Sequence, residues 1–225
     1  MKPEKKIEAI ELRKKGESIK SISLKLGVSK GSVSLWVRNV ELTKEQRLKL
    51  DRGREMSFVT RIKKERQKRL SLQNEGRELV KKYCNDRGFV IGCMLYWAEG
   101  SKGRGDVSVS TSDLDMLKIF VEFLIRYFGV KKEQFQVFCR YYTDLSEKGE
   151  PEKYWIHNLG LDSKNLRGSC VNYYPKSDEM VKKKYAHGKL KYGTCRTKIN
   201  SVTIMQKIFG AIQELGGFNR EEWLD

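Results

Sequence analysis

Apolar positions recur at helical spacing in the first third of the chain and turn to strand-like alternation further on. Ile7, Ile10 and Leu12 mark one face of a first helix ending at Gly16; Ile19, Ile22, Leu24 and Leu26 mark a second that stops at Gly27. Ser29 offers an N-cap to a third helix with a buried stripe of Val33, Trp36 and Val37, leaving Lys30, Ser32, Ser34, Leu35 and Arg38 on its other faces. Thr43 and Gln46 then have capping-box spacing, and to about Tyr83 the chain is rich in Lys, Arg, Glu, Gln and Leu without a proline. This predicts one long helix or two, with Gly53 and Gly76 as the breaks.

After Gly88 the pattern changes. It predicts an apolar helix ending at Glu99-Gly100, a loop over 100–105, a strand over 106–110 and a helix over 112–128 closed by Gly129. Strands follow over 135–142, 166–174 and 192–199, with a loop over 145–151 and a short helix over 154–159 between the first two. Ser201 caps a last helix running to Leu215 before Gly216-Gly217. Helices and strands in this order suit an α+β fold with helices on one sheet face.

Charge adds a partner to this picture. The chain carries 46 Lys and Arg against 29 Asp and Glu, a net +17, distributed unevenly. Residues 1–87 hold 25 basic against 12 acidic residues (+13), and 88–225 hold 21 against 17 (+4). A basic N-terminal part on a nearly balanced C-terminal part points to a polyanion, with nucleic acid ahead of an anionic membrane surface. The run Arg61, Lys63, Lys64, Arg66, Lys68, Arg69 could follow phosphates or form a solvated helix face.

Composition also excludes chemistries. The five cysteines, Cys84, Cys93, Cys139, Cys170 and Cys195, are odd in number and form no CxxC pair, so neither a disulfide framework nor a thiolate zinc site is encoded. With only His157 and His187, His-dependent nuclease, Ser-His-Asp and His-metal chemistries are disfavoured, leaving carboxylates, lysines and metal-bound water. The longest apolar run, 89–98, is too short to span a bilayer, and the N-terminus lacks the apolar core of a signal peptide. A cytoplasmic location without a membrane partner is the expectation.

Two segments carry resemblances. SIKSISLKLGVSKGSVSLWVRNV is similar to the DNA-binding helix-turn-helix of resolvase and transposase families, with Ser23 where that pattern usually has alanine and Gly27 at its turn. It covers roughly the first 40 residues and implies that Ser29, Lys30, Ser32, Ser34 and Arg38 contact DNA. GCMLYWAEG, with the strands and helix that follow, resembles the LAGLIDADG homing endonuclease fold over about 88–217; Ala98, Glu99 and Gly100 match the end of its motif, and INSVTIMQKIFGAIQEL its closing strand and helix.

The resemblance implies an N-terminal all-α helix-turn-helix (1–42), a basic helical linker (43–87), an αββαββα saddle (88–217) and a tail (218–225). It implies a homodimer paired through the motif helix over a pseudo-palindromic double-stranded DNA site. It also implies Mg²⁺ held by Glu99 of each copy, with Lys198 stabilising developing charge. Met94, Tyr96 and Trp97 depart from the small residues the family uses at its helix crossing, and Ser110 stands where it places a polar group on the first strand.

Bacterial sporulation regulators of the WhiA type join the same two folds without depending on cleavage. Lys102 and Arg104 after the motif, Lys189 and Lys191 among the tyrosines of 182–193, and Arg196 on the last strand are further candidate DNA contacts. Asp113 and Asp115 read as helix N-terminal carboxylates, and Phe135, Tyr154 and Trp155 as core. Three functions stay open: metal-dependent endonuclease, non-cleaving regulator, and DNA-binding subunit of a transposition or recombination complex.

Overall fold

The computed structural model describes residues 3–103, 105–142, 147–172 and 190–224. Arg104 and Lys189 therefore lie outside the described residues, as do the ends of the segments expected as a loop over 145–151 and a strand over 166–174. The chain divides into two compact units, Met1–Glu65 and Arg66–Asp225.

In the first unit, α1 (Pro3–Lys14), α2 (Ile19–Leu26) and α3 (Lys30–Trp36) precede the start of α4 (Lys44–Tyr83). Ser18 Oγ accepts from Ser21 N (3.0 Å) and Ser29 Oγ from Ser32 N (3.1 Å), so a serine starts both α2 and α3. Gly27 ends α2 in the left-handed region (φ +61°), its N–H donating to Ser23 O. The core is small: Ala9, Ile22, Leu26, Val33 and Val37, with Leu12, Ile19, Val28, Trp36 and Val40 against it. Ile7 and Leu24, expected in the core, are 62 % and 74 % exposed, because the stripe of each helix runs through Ala9 and Leu26 instead. The Thr43–Gln46 capping box forms in both directions (3.1 and 3.2 Å).

Neither glycine breaks α4, which runs unbroken from Lys44 to Tyr83. A Cβ on Gly53 would meet nothing within 4 Å, whereas one on Gly76 would lie 1.9 Å from Lys207 O. Gly76 thus marks a close approach of two helices. The expected linker 43–87 is divided accordingly, its second half belonging to the second unit, where Gln73, Gly76 and Val80 are buried.

The second unit contains α5 (Arg87–Glu99), β1 (Val107–Thr111), α6 (Leu114–Phe128), β2 (Gln136–Tyr142), α7 (Glu150–Asn158), β3 (Leu166–Asn172), β4 (Thr194–Ile199) and α8 (Val202–Gly216). The class is α+β, with one four-stranded mixed sheet ordered β1-β4-β2-β3. Neighbours are antiparallel except β2 and β3, which the α7 crossover makes parallel. The described order departs from αββαββα: one strand separates α5 from α6, and a helix lies between β2 and β3. The segment that would supply the missing strand holds Gly100, Gly103 and Gly105, and among its described residues the bridge is Gly100 to Val109.

Side chains alternate across this sheet. Val107, Val109, Val137, Cys139, Tyr141, Cys195, Thr197 and Ile199 are buried on one face, with Phe89, Phe120, Leu124, Trp155 and Phe209 from the helices in the same core. Helix α7 starts earlier than the expected 154 because Pro151 is accommodated in its first turn. The tail is also structured: Trp223 is buried and stacks on Phe209 (ring centroids 4.4 Å).

Asp86 starts α5 and ties it to α6. Its Oδ1 accepts from Gly88 N (2.9 Å) and Tyr127 Oη (2.7 Å), and its Oδ2 from Arg126 Nη2 (3.1 Å). The Tyr127 hydroxyl foremost, then the Gly88 amide and Arg126, hold this carboxyl below its ordinary value against the opposing effect of burial. Folding therefore favours the ionised form, whose contribution is complete above the ordinary carboxylate range and is lost as pH falls through the lowered native value. Asp86→Asn keeps an acceptor for the cap but has no charge to titrate. The stability gap between wild type and variant is expected to be constant above about pH 5 and to close below about pH 4, in urea unfolding at stepped pH. A gap that does not narrow in acid would remove Asp86 from the acid response.

Candidate nucleic-acid interface

Among the described residues, the second face of the sheet is partly exposed. Register places Ser110 beside Arg196, Arg196 beside Phe138 and Lys198 beside Gln136, so alternation brings these side chains and Arg140 out on the face opposite the core. A shallow concavity of about 540 Å³ lies on it, lined by Ser110, Phe138, Arg140, Gly168, Cys170 and Arg196 among others. Three cations thus share one sheet face, Arg140 exposed and Arg196 and Lys198 half-buried.

Asp106 organises two of them. Its Oδ2 accepts from Arg196 Nη2 (2.8 Å) and lies 3.6 Å from Lys198 Nζ, while Arg196 Nη2 also donates to Ser108 Oγ (3.1 Å). Lys198 Nζ lies 5.6 Å from the Phe138 ring centroid. Both cations are held in place while keeping surface toward solvent, which suits contact with a phosphate backbone better than a catalytic lysine aimed at one bond. Arg140, Phe138 and Asp106 do not stand out in the sequence as candidate contacts. The alternation in QVFCRYY, with Gln136, Phe138 and Arg140 at every second position, is the signal that finds two of them.

Glu99, the candidate metal ligand, sits exposed in the last turn of α5. Lys102 turns back on that helix end: its Nζ donates to Tyr96 O (2.8 Å), Trp97 O (2.6 Å) and Gly100 O (2.6 Å). All three ammonium donors are engaged by terminal carbonyls, so Lys102 is a C-terminal cap and not an outstretched phosphate contact. Burial pulls this ammonium below its ordinary pKa, opposed in part by Glu99 nearby. Among the described residues no group of three His, Cys, Asp or Glu converges. A single copy thus offers one exposed carboxylate, Glu99, at this helix end, where Mg²⁺ takes several hard oxygen ligands.

The motif helix itself has two faces. Phe89, Gly92, Cys93 and Tyr96 are buried, and Tyr96 Oη donates to Ser101 O (2.6 Å), so the bulky Tyr96 packs inside its own unit. Ile91, Trp97 and Ala98 are exposed, with Met94 and Leu95 half-buried.

In the first unit, Lys30, Ser34 and Leu35 are exposed on α3. Ser29 is committed to its cap, with its hydroxyl 2.9 Å from that of Ser32, and Arg38 follows the helix instead of lying on it. The basic run of α4 is split: Arg66 pairs with Glu221 (2.8 Å) and Arg69 donates to Leu224 O (2.9 Å), both within the second unit. Lys191, near β4, lies 3.4 Å from Glu150 and 4.9 Å from the Tyr192 ring; its partnership with Tyr192 foremost raises its pKa. Among the described residues no helix is long and apolar enough to cross a membrane.

No family model, no curated protein and no solved structure matches this chain.

Proposed function

We propose that this chain binds double-stranded DNA with sequence preference and does not cut it. α2 and α3 act as a helix-turn-helix, with Lys30, Ser34 and Leu35 toward base edges in the major groove. The partly exposed sheet face of the second unit lies on the phosphate backbone. The observation that carries the reading is the division of this sheet into a packed face and, among the described residues, a partly exposed one bearing Arg140, Arg196 and Lys198. A net +17, concentrated in the N-terminal part, supplies the long-range attraction.

Two copies pair, in this reading, through the side of α5 that carries exposed Ile91 and Ala98 and half-buried Leu95, so the preferred site is pseudo-palindromic. Unbridged cysteines among the described residues fit a reducing cytoplasm. Cleavage is the second reading, favoured by one observation, the exposed Glu99 at the end of α5. Against it stands Lys102, whose ammonium already supplies positive charge at that helix end.

A randomised duplex library incubated with the full chain, in Mg²⁺ and in Ca²⁺, separates the readings when bound and cut molecules are both sequenced. The expected result is one enriched two-fold motif, no cut ends in either ion, and an unchanged motif for Glu99→Gln. Cut ends in Mg²⁺ that vanish in Glu99→Gln would make the protein an endonuclease. Absence of any enriched motif would end the sequence-preferring reading.

A further inference from the structure

A cleft of about 1000 Å³ lies within the first unit, walled by the turn between α1 and α2, the start of α3 and the first half of α4. Arg13, Lys20, Lys30, Lys49, Arg54 and Arg61 line it, and no Asp or Glu does. The α4 contributors, Lys49, Leu50, Gly53, Arg54, Ser57, Phe58 and Arg61, recur at the spacing of one helix side. Six cations around one hollow with no carboxylate in its lining attract an anion.

Local bonds leave this charge largely uncompensated. Arg13 Nη1 donates to a carbonyl, Glu17 O (2.7 Å), and Arg54 pairs with Asp51 (3.0 Å) out in solvent, where such pairs are weak. Burial, and then the proximity of Arg54, lower the Arg13 pKa. The floor is matched to sugar as well as phosphate: Phe58 is 53 % exposed, with the Arg61 guanidinium 5.4 Å from its ring centroid. Lys30 lies both on the cleft wall and at the start of α3. A duplex engaged by α3 thus presents its flanking backbone to the same hollow.

The geometry points to a phosphodiester-backbone clamp in the first unit: the α4 side bearing Lys49, Arg54 and Arg61 closes on the DNA strand flanking the α3 contact. This inference rests on the DNA-binding reading and gives α4 a role that a linker would not have. The clamp adds affinity and salt dependence, not base discrimination, because cations around a backbone read no sequence.

The test compares three full-length proteins by fluorescence anisotropy across a NaCl series, on the selected duplex and on a scrambled one. One variant is Lys49→Gln/Arg54→Gln/Arg61→Gln. The other, Lys44→Gln/Arg52→Gln/Lys63→Gln, loses the same charge from α4 positions outside the cleft lining. The cleft variant is expected to lower the slope of log K against log salt by about 2 to 3, at about 0.9 for each phosphate no longer neutralised. Its ratio of selected to scrambled affinity stays at the wild-type value, and the control variant keeps most of the wild-type slope.

Equal loss in both variants would mean net charge alone acts and would overturn the clamp, as would an unchanged slope in the cleft variant. Wild-type protein with no salt-dependent duplex binding would instead overturn the DNA-binding reading beneath it. Circular dichroism matching wild type in both variants keeps a slope change from being a folding defect, since all six substituted side chains lie on a largely exposed helix.

Discussion

Gly210→Ala is expected to destabilise the second unit by about 3 kcal/mol, although alanine is the better helix former by about 1 kcal/mol. A Cβ on Gly210 would lie 1.9 Å from Gln73 O, and one on Gly76 would lie 1.9 Å from Lys207 O. The two glycines are thus reciprocal: each admits the other helix's backbone, so α4 and α8 touch main chain to main chain. Backbone cannot rotate away as a side chain can, and relief requires the helices to separate. Separation would also stretch the buried hydrogen bonds that join them, Gln73 Nε2 to Gln206 Oε1 (2.7 Å) and Gln213 Nε2 to Gln73 Oε1 (3.0 Å). Buried amides left without partners add to the loss.

The same substitution at Gly53 has the opposite sign. It stands in open space inside α4, so Gly53→Ala is expected to stabilise by about 0.5 to 1 kcal/mol. Gly76→Ala should match Gly210→Ala, and the double variant should cost less than the two together, since one alanine already separates the helices. Urea unfolding followed by near-ultraviolet circular dichroism reads all four. An unchanged midpoint for Gly210→Ala would mean that α4 and α8 do not cross at these glycines.

That pair marks where sequence reasoning stops. Gly27, Gly129 and Gly217 are legible as helix ends, because each follows the last apolar residue of a periodic stretch, and each has a positive φ. Gly76 carries the same letter in a similar polar context, yet its role is set by Lys207, far along the chain. The caps Ser29, Asp113 and Ser201 are legible for the same local reason. The strand count after α5 is legible too, since the pattern predicts a loop over 100–105 and one strand before α6; it is the resemblance that supplies a second strand, which is not among the described elements. The candidate site divides likewise: Lys198 and Arg196 follow from strand alternation, whereas their tie to Asp106 depends on β1 pairing with β4. Lys102 looks available in the sequence only because no pattern says that a lysine three residues past a glutamate will fold back on its own helix.

In the first unit, Ile22→Ala is expected to abolish discrimination between the selected duplex and a scrambled one, a loss on the order of 1000-fold in their affinity ratio. Ile22 is fully buried at the centre of a core of only five buried apolar residues. Emptying its site costs about 2 to 5 kcal/mol, as much as a bundle this small holds in total. Helices α2 and α3 then lose the packing that orients Lys30, Ser34 and Leu35, while the cations stay on the chain. What remains is salt-sensitive binding without a preferred site. Leu24→Ala, on the same helix but 74 % exposed, should leave stability within about 0.5 kcal/mol and the preferred motif intact if α2 only supports α3. Competition binding with both duplexes reads each variant, with amide hydrogen exchange over residues 3–40 reporting whether the three helices persist. If exchange shows the helices lost in Ile22→Ala while the selected duplex is still preferred, sequence is read elsewhere and the helix-turn-helix assignment falls.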